Sequence, residues 1–514
     1  MDAVENPAAT ARLADDVREG QPRQDAPPVQ RRRVRRARME QRRMLPARYA
    51  AVAAGGLALL LAACAAVPAG IGKGTPLRGL LTVAATIGGF VLLFAASLPR
   101  RCGRRLRRAY TRLWPAALAF SLLCAAGTVL TLDGAVDYTL AAPPSQTYQS
   151  DVLAFSDTDA RLVLAGRNPY TSDAAFWSVA GRFPLAQMTP LRQGELAHAE
   201  DYPPLQWLRH AAQRAAADPA ERPAIFDPGT LHSYPALSFL LDVPLLAAGI
   251  ANVLVLNLLI YCALFGWLVW QAPVGWRHWA ALAAASGLIT VGASLFMDTE
   301  VICVAFVLLA WHYRQRVMLS AALLGLGCAF KQYVWFFAPF LLLDVLLRDG
   351  WRPTTRYAAV AVGAFLVPNL PYIAASPAAW WQSLWLPMAD RLFPTGTGLI
   401  ALSTGHLLPY GPQQLYAALE GAALVCALVY FARHRAQLGD SVLLLALVPL
   451  FFAFRSLAPY FGFMPWLALY AANRLYAARS AHLPPKSRLA DSVAASAAAL
   501  AQRLGFTRHN ASAL

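Results

Sequence analysis

The sequence predicts an all-α membrane protein with about twelve transmembrane helices and a long, partly helical extracytoplasmic loop. Three observations predict this fold. Of the 514 residues, 57% are hydrophobic and 14% are charged, whereas soluble domains typically carry about 25% charged residues. Apolar stretches of about 20 residues, the length that crosses a bilayer core, recur along most of the chain. Arginine-rich segments flank several of these stretches, as expected for loops on the cytoplasmic side.

The first 48 residues form a polar, Arg-containing segment that is predicted to be a disordered cytoplasmic arm. A cleavable signal peptide is not predicted, because the first apolar stretch begins only near Tyr49. Two clusters, Arg31–Arg48 and Arg100–Arg112, contribute much of the formal net charge of +17. Since each cluster adjoins an apolar stretch, it favours cytoplasmic anchoring and contact with anionic lipid over nucleic-acid binding.

The apolar stretches divide the chain into an N-terminal addition, a main membrane domain and a tail. The addition, 49–112, is predicted to contain two helices and a basic loop, and the main domain covers 113–476. A cytoplasmic tail follows over 477–514, with a predicted amphipathic helix at Ser487–Leu504, so that both termini lie inside the cell. The predicted spans are 49–69, 78–98, 113–132, 252–270, 277–296, 299–313, 317–331, 333–347, 356–373, 411–432, 440–455 and 457–476.

Charge placement decides how the ambiguous apolar stretch Tyr234–Ile250 is oriented. If this stretch crossed the membrane, three later basic loops would lie outside, against the positive-inside bias. If it lies along the outer interface, all three loops lie inside. The sequence therefore predicts an extracytoplasmic loop over 133–251 that ends in a non-spanning helix. The three basic loops are 277–278, 312–316 and 348–356.

A second extracytoplasmic segment is predicted over 371–413. It carries Trp380, Trp381 and Trp385, and tryptophan is typical of the membrane–water interface. Its Gly- and Pro-rich middle, 393–398, predicts irregular backbone at the rim of a cavity.

The seven cysteines indicate neither a disulfide framework nor a metal site. Six lie in apolar stretches and Cys102 lies in a basic loop, so none falls in the long extracytoplasmic loop. They are interpreted as small hydrophobic side chains within helices. No cofactor is expected, and a divalent metal stays an open alternative because no residue set has a convincing ligand spacing.

The long loop contains a predicted helix with an acidic start. Asp151 follows Ser150 at that start, where one of the two can serve simply as the helix cap. A functional role for Asp151 and a capping role both remain open at this point. Gly166 ends the helix, and an Asn-Pro-Tyr turn follows it. The apolar face of the helix consists of Val152, Phe155, Leu162 and Val163.

Four ionisable residues are predicted to gather at the outer surface of the membrane domain. They are Asp298, Glu300, Lys331 and Arg455. Ionisable groups in or beside membrane helices are costly and indicate function by default, so a shared polar cavity is predicted. The alternatives are side chains that reach the interface individually, and, for the two acidic residues, a favourable charge at a helix start.

Three further polar residues are candidates for contact with a substrate. Gln332 follows Lys331 directly. His232 and Tyr234 precede Pro235 at the start of the non-spanning stretch. Because Pro suits the first turn of a helix, this pair is equally consistent with a simple helix entry.

The order of these motifs resembles that of the GT-C membrane glycosyltransferases, most closely glycosyltransferase family 87 (the DUF2029 group). The resemblance covers about residues 113–476, and each motif is short, so that order and topology carry it. The motifs are an Asp ahead of a loop helix that ends in Leu164-Ala-Gly-Arg-Asn-Pro-Tyr170, Tyr234-Pro-Ala-Leu237, Leu324-Gly-Leu-Gly-Cys-Ala-Phe-Lys331-Gln332, and Phe454-Arg455.

The resemblance implies an enzyme of a bacterial-type cell membrane that transfers a hexose, with mannose expected, from a polyprenyl-phosphate sugar. The acceptor would be a lipid or glycan on the extracytoplasmic face. Asp151 would be the catalytic base, with Asp133 and Asp137 as rivals because the family's Asp often follows the membrane helix more closely.

The same resemblance assigns the other candidate residues. Lys331 and Arg455 would bind the phosphate of the donor. Membrane lipids are the other expected partners, and nucleic acid is not one. The residues expected to contact the substrate are Asp298, Glu300, Gln332, His232 and Tyr234.

A transporter or a flippase for a lipid-linked sugar is the competing hypothesis. Such proteins carry charges through the depth of the membrane, and many contain inverted repeats. In this sequence the charges lie toward one side and no repeat is evident, so the glycosyltransferase is favoured.

Overall fold

A computed structural model of the chain describes residues 28–68, 74–98, 118–119, 121–134, 136, 148, 150–171, 183, 189–218, 220, 233–287, 299–385 and 392–481. The chain divides into two compact units, one formed by 1–43 with 476–514 and the other by 44–475. In the first unit, the described parts are the helical residues 28–43 and 476–481. Helices α1, Pro28–Pro68, and α19, Met464–Ala481, each have residues in both units, and the other helices and strands belong to the second unit. The predicted tail helix Ser487–Leu504 lies outside the described residues.

Helix predominates throughout the described residues. The first nine helices are α1 Pro28–Pro68, α2 Pro76–Ser97, α3 Ser121–Gly134, α4 Asp151–Leu164, α5 Leu205–Ala217, α6 Leu237–Leu240, α7 Val243–Ala247, α8 Leu254–Trp270 and α9 Arg277–Ala285. The next ten are α10 Glu300–His312, α11 Val317–Phe330, α12 Ala338–Asp349, α13 Trp351–Ala375, α14 Pro377–Trp385, α15 Ala401–Thr404, α16 Gln413–Leu438, α17 Val442–Leu445, α18 Ala458–Gly462 and α19 Met464–Ala481. Short 3₁₀ helices lie at Pro169–Thr171, Gly194–Leu196, Val274–Trp276, Gln332–Phe336, Gly439–Ser441 and Pro449–Phe451.

The all-α membrane character is confirmed, but the predicted number of twelve spans is wrong for the described residues. Four helical segments there are long and apolar enough to cross a bilayer, or five if α8 and the bent segment that follows it count as one span. Those two helical segments meet at an angle of 116°. The four segments are Leu45–Ala66, Pro76–Ser97, Trp351–Ala375 and Gln413–Leu445.

Several predicted spans are shorter or broken because apolar composition does not show where a helix stops. Helices α10 and α11 have 13 and 14 residues, so each is about 20 Å long against ~30 Å of bilayer core. The predicted span 333–347 begins as a 3₁₀ helix, and the predicted span 440–455 contains the four-residue α17, two 3₁₀ helices and the start of a strand at Arg455. The predicted helix over 234–250 is two short helices, α6 and α7.

Helix α11 packs against both α10 and α13. Gly325 of α11 lies so close to α13 that a Cβ atom built on it would be 2.1 Å from the carbonyl oxygen of Ala361. Close approach of two membrane helices through a small residue is typical of helix packing in lipid. The sequence Gly-Leu-Gly in α11 therefore places Lys331, at the end of this helix, by allowing the backbones to meet.

Replacing Gly325 with alanine is expected to destabilise the protein by about 1–3 kcal/mol, because the added methyl group overlaps a backbone atom that cannot rotate away. Gly363 of α13 is the matched control, since a Cβ atom there meets nothing within 4 Å. Gly363→Ala is expected to be neutral or stabilising by about 0.5–1 kcal/mol. Thermal unfolding in detergent measures both variants, and equal midpoints would contradict this packing.

The loop helix α4 docks on the short helices α6 and α7 and on the segment around α14. A buried apolar cluster joins the elements, formed by Ala160, Tyr170, Ala236, Phe239, Trp380 and Leu384. The hydroxyl of Tyr170 donates a hydrogen bond to the carbonyl oxygen of Tyr234 at 2.8 Å. Asn369 of α13 accepts hydrogen bonds from Ala236 N at 2.9 Å and from Trp380 Nε1 at 3.2 Å. The loop is thus anchored to the membrane domain through both its apolar face and its polar groups.

A two-residue parallel pair of strands holds Arg455 beside the second extracytoplasmic segment. Strand β1, Thr395–Gly396, pairs with β2, Arg455–Ser456. Gly396 has φ of +140°, and a Cβ atom there would lie 2.1 Å from the Ser456 carbonyl oxygen. Glycine is therefore required for the strands to meet. The irregular backbone predicted for 393–398 includes this strand.

A network of arginines and aspartates lies at the opposite end of the α10–α11 hairpin. Arg314, in the turn between the two helices, approaches Asp440 at 3.0 Å. Arg348 and Arg435 approach Asp344 at 3.1 and 3.0 Å. These contacts tie α12 to α16, and they tie the hairpin turn to the 3₁₀ helix Gly439–Ser441, at the end that lies away from Lys331.

Candidate functional site

Three of the predicted site residues, Asp137, His232 and Asp298, lie outside the described residues. Asp133 is described, and it is exposed near the end of α3. The remaining candidates form two groups. The first group consists of Lys331, Glu300, Gln332 and Tyr234. The second consists of Asp151 and Arg455, whose charges both influence the pKa of Tyr202.

Asp151 is the first residue of α4, and its position is set by three hydrogen bonds. Ser150 is the N-cap and accepts a hydrogen bond from Val152 N. The capping role predicted for Ser150 or Asp151 therefore belongs to Ser150. Asp151 Oδ1 also accepts from Val152 N, at 2.9 Å. Its Oδ2 accepts from Thr189 N at 3.0 Å and from Thr189 Oγ1 at 2.7 Å. Since a carboxylate has about four acceptor positions, these bonds orient the group and leave one position for a substrate hydroxyl.

The other aspartates of α4 are less accessible than Asp151. Asp157 and Asp159 are both 0% exposed, whereas Asp151 is partly exposed. Asp157 approaches Arg161 at 3.1 Å, one helical turn away. Within α4, Asp151 is therefore the carboxylate that a substrate can reach.

Tyr202 connects Asp151 with Arg455. The pKa of Tyr202 is raised to about 12, chiefly by burial; the charge of Arg455 lowers it and that of Asp151 raises it. Both charges therefore act on the same phenol. The Tyr202 ring lies 5.6 Å from the Phe393 ring, and Arg455 Nη1 donates to the Phe393 carbonyl oxygen at 3.2 Å. We call Asp151, Thr189, Tyr202, Phe393 and Arg455 the Tyr202 cluster.

Lys331 and Glu300 form a buried ion pair. Lys331 Nζ lies 2.6 Å from Glu300 Oε1, and the two residues are 4% and 0% exposed. Lys331 has extended backbone at the end of α11, and Glu300 begins α10, so the antiparallel helices bring the charges together. Lys331 Nζ also lies 4.9 Å from the centre of the Tyr234 ring, which favours a cation through its negative face.

Gln332 joins this ion pair to the neighbouring loop segments. Its Nε2 donates hydrogen bonds to the carbonyl oxygens of Ser233 and Leu384, the latter at 3.2 Å. Four predicted residues, Glu300, Lys331, Gln332 and Tyr234, are thereby brought together. Of the four ionisable residues predicted to share a polar cavity, Glu300 and Lys331 are in contact and neutralise each other, Arg455 contacts Phe393 instead, and Asp298 lies outside the described residues.

The ion pair with Glu300 makes Lys331 a weaker candidate than Arg455 for binding the donor phosphate. A phosphate at Lys331 would have to displace the Glu300 carboxylate, and breaking a buried pair is costly. Arg455 is partly exposed, and its described hydrogen bond leads to a neutral carbonyl oxygen. A guanidinium offers several further donors that suit a phosphate. Arg455 is therefore the better candidate.

Thr189, Tyr202 and Phe393 belong to the site but carried no recognisable motif in the sequence. They come from three loop segments that meet only in the folded chain, with Leu191 bridging to Leu392 beside them. The only local signal was an aromatic residue before a proline, in Tyr202-Pro203 and Phe393-Pro394. Such a pair predicts extended backbone and no chemistry.

In the described parts of the chain, no group of three or more His, Cys, Asp or Glu side chains is arranged to hold a metal ion. Comparisons of the chain with protein family models, curated proteins and solved structures find no match. The chemistry considered below therefore depends on the geometry of the Tyr202 cluster and the motif order.

Proposed function

We propose that this membrane protein is a GT-C-like glycosyltransferase that moves a hexose from a polyprenyl-phosphate sugar to a lipid or glycan acceptor. The observation that carries the proposal is the geometry of the Tyr202 cluster, in which Thr189 orients Asp151 and Phe393 contacts both Arg455 and the Tyr202 ring. A base and a cation near the same point are what transfer from a lipid phosphate requires. Mannose, and membership of glycosyltransferase family 87, are proposed from the motif order alone.

In the proposed reaction, the acceptor oxygen forms a bond to the anomeric carbon as the bond from that carbon to the donor phosphate breaks. Asp151 accepts the proton of the acceptor hydroxyl at the acceptor position that Val152 and Thr189 leave open. The electron pair of the broken bond stays on the polyprenyl phosphate, whose growing charge Arg455 stabilises. Direct displacement of this kind inverts the anomeric configuration.

The proposed topology places 133–251 on the extracytoplasmic face of a bacterial-type cell membrane, with both termini cytoplasmic. Three observations support it. Basic loops at 277–278, 312–316 and 348–356 then lie inside. Neither α6 nor α7 is long enough to cross. Glu300 and Lys331 also lie at the end of the α10–α11 hairpin away from Arg314. The short apolar helices α3, α10 and α11 belong to the same membrane domain in this proposal.

The ion pair of Glu300 and Lys331 has a positioning role in the proposed enzyme. It fixes the ends of α10 and α11 and holds the Tyr234 ring over Lys331 Nζ. Gln332 then fixes the backbone at Ser233 and Leu384, next to the loop and to the Trp-rich α14. The polyprenyl chain would enter from the lipid along α14, whose exposed Trp381 and Trp385 suit an interface.

A vesicle assay distinguishes transfer from transport. Purified protein is reconstituted into vesicles that contain polyprenyl-phosphate-mannose, and a glycolipid and glycan extract of a bacterial envelope is added as acceptor. The proposal predicts mannosylated product and free polyprenyl phosphate. Movement of the intact donor between leaflets, with no new glycosidic bond, would instead support the transporter hypothesis.

Replacing Arg455 with alanine is expected to lower kcat/KM for the donor by about 10- to 150-fold, since a charge-assisted hydrogen bond contributes roughly 1.5–3 kcal/mol. The matched control is Arg433→Ala, which removes an exposed arginine from α16. Initial rates at varied donor concentration measure the effect. Equal kcat/KM for the two variants would remove Arg455 from the donor site.

A further inference from the structure

A second polar group binds the loop helix α4 to the broken segment formed by α6 and α7. Ser156 lies in the middle of α4 and Asp242 lies between α6 and α7, and the two residues are 5% exposed each. Ser156 Oγ is 2.6 Å from Asp242 Oδ2 and 2.9 Å from the carbonyl oxygen of Ser238. Both distances are those of full O–H···O hydrogen bonds.

The number of protons decides how these three oxygens are bonded. A serine hydroxyl has one proton, and a backbone carbonyl oxygen can only accept. If Asp242 were a carboxylate, its Oδ2 and the Ser238 carbonyl oxygen would compete for the single proton of Ser156. One of these two contacts would then place two oxygen lone pairs against each other without a proton between them. If Asp242 is a carboxylic acid, it donates to Ser156 Oγ, and Ser156 donates to Ser238. Only the second arrangement satisfies both contacts.

The surroundings of Asp242 favour the neutral acid as well. The pKa of Asp242 is raised to about 7, mainly by burial and to a smaller extent by the charge of Asp157. The hydrogen bond with Ser156 acts in the opposite direction and lowers it. The segment 237–247 that carries Asp242 contains no other ionisable residue. The elements packed around this segment are α4, α11, α13 and the turn after α4. Their titratable or charged residues are Asp151, Asp157, Asp159 and Arg161 of α4, Tyr170 after α4, Cys328 of α11, and Arg352, Arg356, Tyr357 and Tyr372 of α13.

We propose that Asp242 is a protonated positioning residue whose carboxylic acid, relayed through Ser156 to Ser238, locks α4 against α6 and α7. Because Asp151 is the first residue of α4, the lock positions the proposed base for the acceptor. The catalytic part of this inference rests on the proposed function, whereas the lock itself does not. Loss of the proton removes the donor from the relay and places a second negative charge near Asp157.

The direction of the pH dependence follows from the raised pKa. The docked state of α4 binds the proton of Asp242 more tightly than an opened state with an ordinary pKa of 3.8. Docking is therefore strongest at low pH, weakens as the pH rises toward 7, and levels off near pH 8. Over this range the equilibrium constant for opening α4 is expected to rise by at most about tenfold for each pH unit.

Hydrogen–deuterium exchange of the α4 amides tests the lock without any sugar transfer. The purified protein in detergent is measured between pH 5 and 8, with rates corrected for the intrinsic pH dependence of exchange. Wild-type protection is expected to fall about 50-fold between pH 5 and 7 and to level off near pH 8. Amides of α10 and α11 are the internal control and should not follow this course.

Two variants separate the proton from the side chain. Asp242→Asn keeps an N–H donor toward Ser156 at every pH, so α4 should stay protected with no change between pH 5 and 7. Asp242→Ala removes the donor and should leave α4 exchanging rapidly at every pH. A flat wild-type profile, or the wild-type profile retained in Asp242→Asn, would overturn the proposal even if Asp242→Ala does not fold.

The transfer assay then tests the positioning role separately. In the wild type, kcat should fall as α4 opens, while the KM for the donor stays constant because Arg455 is not on α4. Asp242→Asn should abolish this component of the pH profile. If exchange follows the prediction and kcat does not, the lock stands and its link to catalysis is wrong. If no transfer occurs at all, the proposed function fails and the exchange result is unaffected.

Discussion

Replacing Asp151 with asparagine is expected to lower the rate of sugar transfer by about 10²- to 10⁴-fold, the usual contribution of a general base. Asparagine has nearly the same shape and can still accept the hydrogen bond from Val152 N, but it cannot take up the proton of the acceptor. The loss should therefore appear in kcat, with little change in the KM for the donor. Initial rates of mannosylated product formation measure both constants.

Asp133→Asn is the matched control for this prediction, because Asp133 is an exposed carboxylate at the end of α3. It should leave the rate unchanged. If Asp133→Asn abolished transfer and Asp151→Asn did not, the base would be the rival that precedes the loop helix. Full activity of both variants would leave Asp137, which follows closely in the sequence, as the remaining candidate of the three.

Replacing Glu300 with alanine is expected to destabilise the protein by about 3–5 kcal/mol, the cost of leaving one partner of a buried ion pair alone. Lys331 Nζ is 2.6 Å from Glu300 Oε1, and both side chains are at most 5% exposed. Water therefore cannot replace the lost carboxylate without opening the ends of α10 and α11. The midpoint of thermal unfolding in detergent measures the effect.

The double variant Glu300→Leu with Lys331→Met shows whether the charge or the packing is responsible. Replacement of both partners of a buried pair by apolar residues of similar volume is often neutral or stabilising. The double variant should therefore recover most of the stability that Glu300→Ala loses. Equal loss in both would show that packing around Glu300 matters and that the ion pair does not.

The membrane class and the loop helix could be predicted because both follow from local sequence. Composition and the recurrence of apolar stretches predict a membrane protein, and Ser150 and Gly166 mark the two ends of α4. The number of spans could not be predicted in the same way. An apolar stretch shows that a segment avoids water, but it does not show that Gln332–Phe336 forms a 3₁₀ helix or that α6 ends at Leu240.

The sequence indicates which charged residues are candidates for the site, but it does not indicate which residues contact one another. Lys331 and Glu300 were placed on one surface from the topology, yet their contact depends on how α10 and α11 pack, which residue types alone do not specify. Tyr202 and Phe393 are 191 positions apart and meet through two loops whose backbones have no regular period. Nothing in either segment indicates its partner, so the cluster became visible only in the folded chain.

The most direct test of the proposed transfer is performed in detergent solution, where there are no two compartments between which a substrate could be transported. Purified protein is mixed with polyprenyl-phosphate-mannose and the envelope extract, and free polyprenyl phosphate is measured over time. The proposed function predicts acceptor-dependent release, one molecule for each mannose transferred, that Asp151→Asn abolishes. A donor that stays intact with folded wild-type protein would contradict the assignment as a glycosyltransferase.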